Sequence, residues 1–130
     1  MLRRISIILI VVFALSVIAF ADSTNYSYTL SNGVNGKRET DYVLKTTATG
    51  TSAKTTISSI SGATASYPMV ARVRAAGGGQ ASELQDHITT TTTYYFTWKD
   101  GYGSYGKNYK MRMQNTTNGP TITVSGTFTP

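Results

Sequence analysis

The stretch Met69-Val-Ala-Arg-Val-Arg-Ala75 is the plainest strand in the chain and decides its fold. Met69, Ala71, Val73 and Ala75 fall on one face, and Val70, Arg72 and Arg74 on the other, the period of two of a pleated strand with one buried side. Pro68 precedes it. Gly77-Gly78-Gly79 ends it, because three glycines lose too much chain entropy to sit inside an element. Downstream, Tyr109, Met111 and Met113 alternate with Lys110 and Arg112 in the same way.

Working outward, other segments repeat the pattern between turn signals. Tyr26, Tyr28 and Leu30 share a face of a first strand that stops at Asn32-Gly33 and Asn35-Gly36. A second strand is expected over 38–47, with Tyr42 and Leu44 alternating against Asp41, Val43 and Lys45. Residues 55–60 form a third. Residues 81–87 read as the one short helical turn. Residues 88–98, with threonines from Thr89 to Thr93, are the longest strand candidate, followed by a Gly/Tyr turn over 100–106. Ile122, Val124 and Phe128 close the chain.

Composition agrees. After residue 21 there are 22 Thr and 9 Tyr against 3 Leu, residue types that suit a half-buried sheet rather than helices. The expected fold is all-β, an antiparallel β-sandwich of about seven short strands, with a small β-barrel as the alternative.

Residues 1–21 read as a signal peptide helix that is cleaved. Arg3 and Arg4 supply the charged start, residues 5–20 the apolar run, and Ala19-Phe20-Ala21 the small-x-small site before Asp22. The alternative is a membrane anchor through an uncleaved segment, but an apolar run of 16 residues falls short of the ~20 that span a bilayer. The expectation is a secreted, extracellular protein with one β-sandwich domain over 22–130. With Arg3 and Arg4 gone, ten basic and six acidic side chains leave a charge of +4. There is no cysteine, so no disulfide supports the core, and cysteine-free exported proteins point to a Gram-positive source.

Catalytic chemistry is sparse. The single histidine, His87, has Asp86 beside it and no nucleophile elbow, and adjacent strand residues face opposite ways, so Asp86 orients it only from a turn or helix end. One histidine and no cysteine do not make a zinc site. Gly101-x-Gly103-x-x-Gly106 matches a dinucleotide fingerprint in letters, but a strand pattern follows it where that motif needs a helix. The expectation is a non-enzymatic protein with no catalytic residue, metal or small-molecule cofactor.

Two features suggest binding. Tyr94, Tyr95, Phe96, Trp98, Tyr102, Tyr105 and Tyr109 fall within 16 positions, suited to sugar rings or a membrane interface, or to filling a thin core. Arg72, Arg74, Lys110 and Arg112 would form one basic face if their strands are neighbours. A candidate binding surface therefore comprises Arg72, Arg74, Trp98, Tyr102, Tyr105, Lys110 and Arg112. Its expected partners are anionic cell-envelope polymers, a membrane surface or carbohydrate. No dense Lys/Arg stripe suggests nucleic acid.

Three segments carry a resemblance: Arg38 to Val43, Asn108 to Asn115, and Ser125-Gly-Thr-Phe-Thr-Pro130. Together they resemble small secreted Gram-positive bacterial proteins of unknown function, with Asp41 where those carry a hydroxyl and Phe128 where they often carry Trp. The resemblance implies a secreted β protein and assigns no activity. A secreted antibacterial, bacteriocin-like role at the cell envelope is the alternative, by analogy with other cysteine-free Gly/Tyr-rich exported proteins.

Overall fold

The computed structural model describes residues 22–32, 36–116 and 118–130. The expected signal peptide and its cleavage residues Ala19 and Ala21 lie outside them; Asp22 is exposed. Nine strands are present among the described residues: β1 (Thr24–Leu30), β2 (Lys37–Glu39), β3 (Val43–Leu44), β4 (Ala53–Ser61), β5 (Met69–Ala75), β6 (Gln85–Ile88), β7 (Thr93–Phe96), β8 (Asn108–Gln114) and β9 (Ile122–Thr129). They form two antiparallel sheets, β1-β9-β4-β7 and β2-β8-β5-β6, with β3 also pairing β8. The sheets pack face to face and do not close into a barrel, so the fold is a β-sandwich.

The core is made by the alternations read above. Tyr26 and Leu30 of β1, Ile122, Val124 and Phe128 of β9, and Ile57 of β4 face Met69, Ala71 and Val73 of β5 and Tyr109, Met111 and Met113 of β8. Within β4 the register on β9 shifts between Ile57 and Ser59. That extra residue resets the pleat: Ala53, Thr55 and Ile57 are buried at odd positions, and Ile60 packs on the same core from an even one.

Three expectations are corrected. The segment 38–47 is not one strand: β2 ends at Glu39 and β3 begins at Val43. Of the two alternating sets, Val43 and Lys45 are buried while Tyr42 is exposed. Residues 81–87 are not helical. Ala81 N–H donates to Val73 O, the Ser82 hydroxyl accepts from Val73 N–H, and Gln85 to Ile88 pair with β5, so β5's free edge captures the segment. Finally, 88–98 is not one strand. Ile88 ends β6, the threonines turn the chain, and the Tyr94 hydroxyl accepts from the Thr89 and Thr90 backbone N–H groups to hold that turn. The strand count therefore rises from seven to nine.

Candidate functional site

β5 and β8 are direct neighbours, with Arg72 opposite Arg112 and Arg74 opposite Lys110. The inward residues of both strands are locked in the core, so the period of two forces these four cations onto the outer face of the five-stranded sheet. β2 adds Glu39 opposite Arg112 on the far side of β8. Glu39 Oε1 accepts from Arg112 Nε and Nη2, both at 2.7 Å, and Oε2 accepts from Lys110 Nζ at 2.5 Å. Arg74 Nε stands 3.9 Å from Oε1, and Arg74 Nη2 donates to Gly78 O. The Lys110 ammonium also lies 4.7 Å from the centre of the Tyr42 ring.

Burial of Glu39 opposes its ionisation, but hydrogen bonds from Lys110 and Arg112 and their charges outweigh it and hold the carboxyl below its ordinary value. The same contact with Glu39 raises the Lys110 ammonium above its ordinary value, against a smaller effect of burial. Glu39 is itself held from behind: the Tyr28 hydroxyl, reaching across from the other sheet, donates to Glu39 O at 2.9 Å.

Arg72 is treated differently. Among the described residues it forms no ion pair, and its Nε is buried without a hydrogen-bond partner. Beside it the face sinks into a cavity of about 270 Å3, walled by Arg72, Arg74, Arg112, Gln80, Gln114 and Leu84. Leu84 is 44% exposed at its rim. Gln80 and Leu84 were not singled out in the sequence, since their place depends on the 80–88 segment returning along β5.

The aromatic residues go elsewhere. Trp98 turns inward: its indole N–H donates to Thr51 O at 2.8 Å and its ring meets Tyr109 at 4.7 Å between centroids. Tyr102 is half-buried against the core, and Tyr109 accepts from Gly103 N–H and Ser104 N–H. Of the three aromatics in the candidate surface, Tyr105 is exposed and does not line the arginine cavity. The structure thus brings the four cations together, and Trp98, Tyr102 and Tyr105 do not line the cavity beside them. A second cavity, about 280 Å3, opens between Tyr102, Ser104, Lys107, Asn108 and Gly77.

Gly101, Gly103 and Gly106 have φ of 84°, 81° and 76°, so the glycine spacing serves a loop of left-handed turns. A Cβ on Gly103 would stand 2.7 Å from the Trp98 ring. His87 Nδ1 and Asp86 Oδ1 meet at 2.9 Å on β6, both side chains exposed, which corrects the expectation that Asp86 reaches His87 only from a turn or helix end. The hydrogen bond from His87 lowers the Asp86 carboxyl below its ordinary value. No group of three or more His, Cys, Asp or Glu side chains gathers among the described residues.

Comparison with protein-family models, curated proteins and solved structures gives no match.

Proposed function

We propose that this is an exported Gram-positive protein that sheds residues 1–21 and works without catalysis, as a binding or surface-associated β-sandwich holding anionic cell-envelope polymers. The observation that carries the reading is the register of β5 on β8, which sets Arg72, Arg74, Lys110 and Arg112 side by side, with Glu39 as the carboxylate facing Arg74, Lys110 and Arg112. A rigid sheet presents these charges at fixed spacing, and a repeating anionic polymer meets them at little further cost in side-chain order. The signal-like residues 1–21 and the resemblance quoted above support export.

The alternative, an antibacterial protein acting at the cell envelope through a Tyr/Trp hairpin, is less well supported, because Trp98 and Tyr109 pack against each other and the core. The test is sedimentation with purified peptidoglycan–teichoic acid at rising salt. The protein is expected in the pellet at low ionic strength, and the Arg74→Gln/Arg112→Gln double variant in the supernatant. Wild-type protein that neither pellets nor stays at the cell surface overturns the reading, and a secreted product that does not begin at Asp22 overturns the cleavage.

A further inference from the structure

The arginine cavity carries more than general positive charge. Two consecutive cross-strand pairs, Arg72/Arg112 and Arg74/Lys110, are like-charged, an arrangement that weakens a sheet. Glu39 offsets only part of this. Its oxygens bond Arg112 and Lys110, it stands 3.9 Å from Arg74, and it is not among the residues that wall the cavity. The wall therefore holds three guanidinium groups and no carboxylate, and one of them, Arg72, has no internal anion.

We infer that this cavity binds a phosphate monoester group, with Arg72, Arg74 and Arg112 as its ligands; the inference rests on the anionic-ligand reading above and names the group recognised. The reasons are stoichiometric and spatial. A guanidinium offers a planar fork of N–H donors that pairs with two oxygens. One carboxylate has two oxygens and a single charge, too few for three forks. A phosphate monoester has three free oxygens and a charge approaching −2, which suits Arg72 together with the N–H groups that Arg74 and Arg112 do not spend on Gly78 and Glu39. Gln80 and Gln114 add carboxamide donors and acceptors for ester or hydroxyl oxygens, and exposed Leu84 covers the carbon to which the phosphate is attached. A volume of about 270 Å3 admits one such group with a few carbons, so a polymer would be gripped at a terminal phosphate.

The test is thermal denaturation and titration calorimetry of wild type and Arg72→Gln at fixed ionic strength. The probes are inorganic phosphate, glycerol phosphate and acetate. Phosphate and glycerol phosphate should raise the wild-type Tm saturably and acetate should not, since a ligand of the native state alone stabilises it by mass action. Arg72→Gln should bind both phosphates at least tenfold more weakly. Its own Tm in chloride should equal or exceed that of wild type, because a like-charge pair is gone. Equal response to acetate and phosphate, or an Arg72→Gln variant that binds as wild type does, overturns the inference. Retention on a carboxylate-only polymer such as polygalacturonate, without a phosphate response, sinks the phosphate site and leaves the anionic-polymer reading standing. Failure to bind any anion sinks both. If phosphate binds, poly(glycerol phosphate) bearing phosphomonoester ends and phosphatidic acid vesicles competing for the same site place its source in a wall polymer or a lipid headgroup, and either result supports the site.

Discussion

Lys45 shows how far a single side chain can depart from its letter. It is fully buried, with Nζ donating to Thr47 Oγ1 at 2.5 Å and Thr51 O at 2.8 Å, and lying 5.4 Å from the centre of the Trp98 ring. Burial pushes its ammonium below the ordinary lysine value of 10.5. No carboxylate pairs with it among the described residues, so the charge is solvated by a hydroxyl, a carbonyl and an aromatic face. Thr51 O keeps a second donor in the Trp98 indole. Lys45→Met is therefore expected to leave stability within about 1 kcal/mol of wild type or to raise it, as removal of a buried charge often does. A urea denaturation series checks this; a loss of about 3 kcal/mol would show that the Thr47/Thr51 anchoring matters more than the buried charge.

At the scale of elements, β9 is the strand on which the four-stranded sheet depends, being paired on both sides by β1 and β4. Gly126 sits at its middle opposite Tyr26, whose ring lies over the glycine and whose hydroxyl reaches Thr55 Oγ1 at 2.6 Å. A Cβ at Gly126 would stand 2.3 Å from Thr56 O and 2.6 Å from the Tyr26 hydroxyl. Backbone cannot move aside cheaply in a strand paired on both edges. Gly126→Ala is expected to cost about 3 kcal/mol or more in chemical denaturation, the upper range of overpacking. A value under about 1 kcal/mol would mean that the sheet relaxes there.

The elements also show where reading by period works and where it fails. β5 and β8 were legible because each alternates large apolar and basic residues over seven positions. Residues 81–87 were not, because helix and strand preferences are close over so short a span and the free edge of β5 decides between them. Threonines 89–93 misled for a related reason: their β propensity is genuine, but the Tyr94 hydroxyl and the need to pass from one sheet to the other turn the chain there.

For the whole molecule, charge and burial set the pH range of stability. Glu39 has its value lowered in the fold, so its contribution is present above the ordinary carboxyl value of 4.5 and is lost as pH falls through the lower native value. The stability difference between wild type and Glu39→Gln should be about 1 kcal/mol at neutral pH and shrink towards zero in acid. Tyr26 acts at the other end. Burial, opposed in part by the Thr55 hydrogen bond, raises its phenol from 10.0 to about 12, so stability falls as pH rises through that window. Tyr26→Phe should flatten the alkaline limb of a denaturation-against-pH profile. An unchanged limb would place the alkaline transition on another group.

The sequence by itself determined the all-β class, the inward and outward faces of β1, β5 and β8, and the presence of four cations on two strands, because alternation and composition are local properties of the chain. Tertiary structure alone decided that β5 lies beside β8, that Glu39 reaches the cations from β2, that Trp98 faces the core, and that Gln80 and Leu84 wall a cavity over Arg72. These depend on which edges pair and in what register. Pairing is set by burying every apolar face at once, a condition that no single segment carries.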